Sequence, residues 1–174
     1  MKKMTKIIAV AFTAAALFIG TNANAQSTPK SAFRFGIGAE GLLPVGDLHD
    51  QSNFGLGGTA RLQYGIADNL ALTLTSGYYN FFAKQELKDA GFGNLGIIPI
   101  KAGIKAFVSQ NIYLGAEVGA GFETGNDSET KLIASPGLGW ANKSWDIGAR
   151  YENFSGGGNS YGTVGLRVAY GFGL

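Results

Sequence analysis

The stretch Thr163-Val-Gly-Leu-Arg-Val-Ala-Tyr-Gly-Phe-Gly-Leu174 decides the fold. Val164, Leu166, Val168, Tyr170, Phe172 and Leu174 share one parity. Thr163, Gly165, Arg167, Ala169, Gly171 and Gly173 share the other. Successive side chains of a strand point to opposite faces, so this is a strand with one wholly apolar face and one small or charged face.

Seven upstream segments repeat the pattern. Phe33, Phe35, Ile37 and Ala39 alternate with Arg34, Gly36, Gly38 and Glu40. Phe54 to Tyr64 has Ala60, Leu62 and Tyr64 against Thr59, Arg61 and Gln63. Leu70, Leu72 and Leu74 stand against Ala71, Thr73 and Thr75. Ile98, Ile100 and Ile104 stand against Lys101, Gly103 and Lys105. Ile112 to Glu123 sets Val118 and Phe122 against Glu117 and Glu123. Leu138 and Trp140 oppose Gly137 and Gly139, and Trp145, Ile147 and Tyr151 oppose Asp146, Arg150 and Glu152.

Eleven charges fall in these segments: Arg34, Glu40, Arg61, Lys101, Lys105, Glu117, Glu123, Asp146, Arg150, Glu152 and Arg167. All lie on the small-residue face. A soluble barrel would place its apolar residues inside, so here the apolar face is the outside, against lipid. Arg or Lys on that face would cost roughly 2–4 kcal/mol at mid-bilayer. Lipid cannot satisfy backbone groups, so the sheet must close on itself. The expected fold is all-β: an eight-stranded antiparallel up-and-down transmembrane barrel.

The connections alternate. Ala67-Asp68-Asn69, Ser109-Gln110-Asn111 and Asn142-Lys143 are short turns. Pro44 to Asn53, Ala83 to Gly96, Thr124 to Lys131 and Ser155 to Ser160 are longer and polar. In outer-membrane barrels the short turns are periplasmic and the long loops extracellular. Trp140, Trp145, Tyr64 and Tyr170 point outward near the turns, as an aromatic girdle requires. Tyr78, Tyr79, Phe81 and Phe82 are expected in an outer rim. Pro99 and Pro136 are expected at the loop ends of their strands, where a lost ladder bond matters least.

Composition agrees. The chain has 28 glycines in 174 residues, about 16% against a usual ~7%. Fifteen glycines take inward strand positions, which makes them lumen space rather than flexibility. With no Cys and one His, His49, disulfides and Cys-ligated metal are excluded.

Lys2, Lys3 and Lys6 precede the uncharged apolar run Ile7–Ile19, and Ala23-Asn24-Ala25 supplies a small-x-small cleavage pattern. Residues 1–25 read as an export signal, 26–31 as a short periplasmic segment and 32–174 as the barrel. Without the signal the net charge falls from +2 to −1, and no nucleic-acid footprint remains.

These features resemble the small outer-membrane β-barrel family of diderm bacteria, in its eight-stranded OmpA/OmpX-like class. The similarity is carried by Gly36–Asp47 (GIGAEGLLPVGD), Ile98–Lys105 (IPIKAGIK), Tyr113–Phe122 and Ala149-Arg150-Tyr151-Glu152. It implies a monomer in the bacterial outer membrane, surrounded by its lipids and inserted by the β-barrel assembly machinery. The family's assembly signal usually ends in an aromatic residue; this chain ends in Leu174, with Phe172 and Tyr170 keeping the alternation.

Eight strands leave an interior that side chains just fill. The ten lumen charges Arg34, Glu40, Arg61, Lys101, Lys105, Glu117, Asp146, Arg150, Glu152 and Arg167 therefore read as a salt-bridged plug. A turn centred on Gln110 sets Gly103 opposite Glu117, flanked diagonally by Lys101 and Lys105. The Asn142-Lys143 turn sets Asp146 opposite Gly139 and Arg150 opposite Ser135.

No cofactor site is expected. Gly36-Ile-Gly-Ala-Glu-Gly41 matches a dinucleotide fingerprint but opens no helix. Asn126, Asp127 and Glu129 read as a solvated loop rather than a Ca²⁺ site. The reading is a non-enzymatic barrel, structural or surface-binding through four loops that bear Asp47, Asp50, Glu86, Asp89, Asp127 and Glu129 against Lys84, Lys88 and Lys131. An extracellular ligand of the loops would be cationic or Ca²⁺-bridged. The alternatives are a lipid-acting enzyme using His49 with Asp47, Asp50 and Ser52, or a narrow channel. Mass spectrometry of the exported protein should find residues 26–174.

Overall fold

The computed structural model describes residues 30–89, 91, 93–125 and 128–173. The expected export signal, Asn126 and Asp127 and the terminal Leu174 lie outside them. Eight strands form one closed barrel with each strand beside its sequence neighbours: β1 (Phe33–Val45), β2 (Ser52–Ala67), β3 (Leu70–Ala83), β4 (Leu95–Phe107), β5 (Ile112–Thr124), β6 (Thr130–Ala141), β7 (Trp145–Gly156) and β8 (Asn159–Gly173). β1 and β8 close it antiparallel, from Arg34 opposite Gly173 to Val45 opposite Gly162.

Polarity is inverted relative to a water-soluble fold. Among the described residues 27 large apolar side chains are exposed, Leu132, Leu138, Leu43 and Ile37 each by 58% or more. A patch this extensive on every strand is a surface for lipid. No described helix is long and apolar enough to cross a membrane.

The strands run further than expected at the loop end. β1 continues through Pro44 to Val45, and the first connection folds into a short helix, α1 (Asp47–Gln51). Leu48, the apolar residue in that polar stretch, is 3% exposed and plugs the barrel mouth. The second connection holds α2 (Gln85–Asp89), and the Lys84 amide donates to the Gln51 carbonyl, tying the first two connections together. The fourth is not a loop: β7 and β8 pair out to Gly156 opposite Asn159. Gly157 (φ 62°) and Gly158 (φ 88°) make the two-residue turn, which needs positive φ at both positions.

Three further expectations are corrected. Tyr79 and Phe81 are not rim residues but point inward, fully buried, because β3 keeps its alternation past Thr75; Tyr78 and Phe82 do face outward. Pro136 sits mid-strand rather than at the loop end, and no β6–β7 pairs form at Ser135 and Pro136. The β6–β7 register is two residues from the expected one: Asp146 faces Ala141 and Arg150 faces Gly137. The cause is Asn142, whose Oδ1 accepts from the Ser144 and Trp145 amides at 2.8 and 2.7 Å and moves the turn onto Lys143-Ser144. The other register stands as expected, with Gly103 facing Glu117.

Glycine sets how closely the strands approach. A Cβ on Gly119 would strike the Ile100 carbonyl oxygen and lie 2.7 Å from Lys101 Cα, backbone that cannot yield without opening the β4–β5 ladder. Gly41 faces open space outside. Urea unfolding of the barrel in lipid vesicles should show Gly119→Val destabilised by at least about 2 kcal/mol, and Gly41→Ala within about 0.5 kcal/mol of the parent.

Candidate functional site

The lumen has three layers. At the loop end Leu42, Leu48, Tyr79, Phe81, Ile97, Ile133, Phe154 and Tyr161 form an apolar cap. At the turn end Phe107, Tyr113 and Ala141 form a smaller cluster. Between them Arg34, Glu40, Arg61, Lys101, Lys105, Glu117, Asp146, Arg150, Glu152 and Arg167 are all buried.

The ions join across strands. Glu40 on β1 accepts from Arg150 Nη1 at 2.8 Å and from the Thr59 hydroxyl at 2.6 Å, with Arg167 Nε at 3.4 Å. Glu152 on β7 is bonded to Lys101, with Arg150 Nε at 3.1 Å. Glu117 on β5 receives Arg61 Nη2 on both oxygens, at 3.1 and 3.0 Å, and the Thr75 hydroxyl at 2.7 Å. Thr75 in turn accepts from Arg61 Nε at 2.9 Å, so one hydroxyl links the guanidinium to its carboxylate. Lys101 Nζ lies 3.5 Å from Glu117.

Lys105 flanks Glu117 diagonally as expected, but its ammonium pairs elsewhere. It bonds Asp146 Oδ2 at 2.5 Å, because the register of β7 lifts that carboxylate beside Tyr113, whose hydroxyl donates to Oδ1 at 2.7 Å. Arg34 Nη1 donates to the Asn142 carbonyl at 2.7 Å, at the turn end.

The sequence reading above leaves three members out. Tyr79 OH accepts from Arg150 Nη2 at 3.0 Å and Lys101 Nζ at 3.2 Å, and its ring covers Gly57 of the next strand, where a Cβ would lie 2.6 Å from Cδ1. Tyr113 likewise lies against Gly139 and Gly148. Lys131, expected in a loop, is 1% exposed inside β6 and bonds Glu129, the Gly156 carbonyl at 2.9 Å and Asn159 Oδ1 at 2.7 Å. The available signal was parity: an inward aromatic opposite an inward glycine, or a Lys on the parity of Ile133 and Ser135.

Outside, Trp140, Trp145 and Tyr170 are 41–46% exposed and Tyr64 is half-buried. Trp145 packs edge-on to Tyr170, with ring centroids 5.3 Å apart, and Tyr64 packs on Phe33 at 4.6 Å, all at the turn end. His49 is exposed on α1. The Ser52 hydroxyl, 2% exposed, donates to the Phe82 and Phe54 carbonyls at 2.8 and 3.0 Å. A nucleophile needs its base within hydrogen-bond reach, and these two side chains make no such pair. Among the described residues no group of three His, Cys, Asp or Glu is placed to hold a metal.

Neither a family model nor a curated protein matches the chain. Solved structures do. The chain is similar to Ail, the attachment invasion locus protein of Yersinia pestis (17% identity, 82% of this chain and 99% of that one, TM-score 0.61). It is similar to the N-terminal β-barrel domain of OprF from Pseudomonas aeruginosa (13% identity, 82% and 98%, TM-score 0.59). Neisserial surface protein A also matches (18% identity, 80% and 97%, TM-score 0.50). The fold is therefore that of the small eight-stranded outer-membrane β-barrels.

Burying ions costs several kcal/mol each, so such a network adds little net stability while intact, yet removing one partner strands the others. Asp146→Asn should cost about 3–5 kcal/mol in urea unfolding. The double variant with Lys105→Met should recover part of that loss, since it removes one stranded cation, and a double-mutant cycle measures the recovery.

Proposed function

We propose that the protein is a closed, non-enzymatic barrel of the bacterial outer membrane that works through its loop end. One observation carries this reading: the charged lumen is interlocked and capped, with cavities of about 40 and 10 Å³ among its side chains. Passage of a solute would require several buried ion pairs and the apolar cap to part together. Trp140, Trp145, Tyr64 and Tyr170 serve in this reading as the girdle at the turn-side interface, and outer-membrane lipids and the assembly machinery are the partners of a monomer.

At the other end α1, α2 and their flanks present Asp47, Asp50, Glu86 and Asp89 against Lys84 and Lys88, while Glu129 pairs with the buried Lys131. That surface suits a cationic or Ca²⁺-bridged partner. The names of Ail, an attachment and invasion protein, and of Neisserial surface protein A support a surface role of the same kind.

Fractionation should place the protein in the outer membrane, with a mobility shift on boiling and no conductance in planar bilayers. Extraction without detergent, or a steady conductance, would overturn the reading. Leu138→Arg on the lipid face should cost about 2–4 kcal/mol in vesicles.

A further inference from the structure

Lys131 stands at the loop end of β6, one step beyond the last β6–β7 pair, Leu132 opposite Ser155, yet it is 1% exposed. An ammonium has three N–H donors, and Lys131 meets three acceptors. Its Nζ donates to the Glu129 carboxylate, to the Gly156 carbonyl at 2.9 Å and to Asn159 Oδ1 at 2.7 Å. One acceptor comes from the third connection, one from the end of β7 and one from the start of β8.

The hairpin tip is shaped to receive this group. A Cβ on Gly157 would strike the Glu129 carboxylate, and one on Gly156 would press on the Thr130 carbonyl oxygen at 3.2 Å. A second link joins the same two segments. The Tyr161 hydroxyl of β8 donates to Glu123 of β5 at 2.6 Å, and the Glu123 amide donates to the Glu129 carbonyl at 2.9 Å. β5 and β8 share no ladder, so side chains alone make this connection.

A carboxylate, a backbone carbonyl and a side-chain amide oxygen are the donors with which loops hold calcium. Here that set converges on a cation the chain itself carries. We propose that Lys131 is an internal cation that clamps the third connection and the β7–β8 hairpin into one body, so that this half of the loop surface is ordered without a metal ion. Its loss would leave the Gly156 carbonyl and the Asn159 amide without their donor. The clamp holds whichever partner the loops take.

Hydrogen exchange, read by mass spectrometry at residues 155–160 of the full barrel in lipid nanodiscs, tests the clamp. In the unaltered protein exchange should be the same in calcium and in chelator. Lys131→Met keeps the apolar stem and removes the ammonium. Exchange should then rise about tenfold, as expected for lost charge-assisted hydrogen bonds, while the mobility shift on boiling is kept. Lys131→Ala should exchange equally fast. Propylammonium, which refills the vacated space with N–H donors, should slow it, and tetramethylammonium, which has none, should not. Exchange slowed by calcium in the unaltered protein, a parental rate in Lys131→Met, or an equal response of Lys131→Ala to the two ammonium salts would each overturn the proposal.

Discussion

Everything in this molecule follows from the need to satisfy backbone hydrogen bonds where no water is present. An open sheet edge in hydrocarbon strands a row of N–H and C=O groups at several kcal/mol each, so the first strand must find the last. The β1–β8 ladder, continuous from Arg34 to Val45, meets that need. Closure with eight strands then sets the diameter, and the diameter dictates that side chains rather than solvent fill the interior.

How they fill it explains the composition. Strands on a small barrel approach closely, and Gly103 and Gly119 face each other's strands where any Cβ would collide with backbone. The space that glycine vacates elsewhere is taken by large side chains from the neighbouring strand: Tyr79 over Gly57, Phe81 over Gly55, Tyr113 over Gly139. Glycine and aromatic ring are two halves of one packing unit, and each unit fixes the register of its pair of strands.

The ion belt extends that logic across the lumen. Glu40 on β1 meets Arg150 on β7, Lys101 on β4 meets Glu152 on β7, and Arg61 on β2 meets Glu117 on β5. These links join strands that share no ladder. Because each pair's attraction is largely offset by desolvation, their effect is to penalise every register that separates partners.

Parity was legible in the sequence: eight strands, their faces, the closed topology and the inward position of the ten belt charges follow from alternation and from the cost of charge in lipid. Where alternation was followed only to Thr75, Tyr79 and Phe81 were lost to the rim, and a polar setting hid Lys131. Parity also cannot distinguish registers two residues apart, since both keep inward faces inward. The choice between them fell to the Asn142 side chain in a turn, and with it the partner of Lys105, which became Asp146 rather than Glu117. The sequence alone determined which residues enter the lumen, because period and polarity are local. Only the tertiary structure decided which charges meet, because that depends on registers summed around a closed ring.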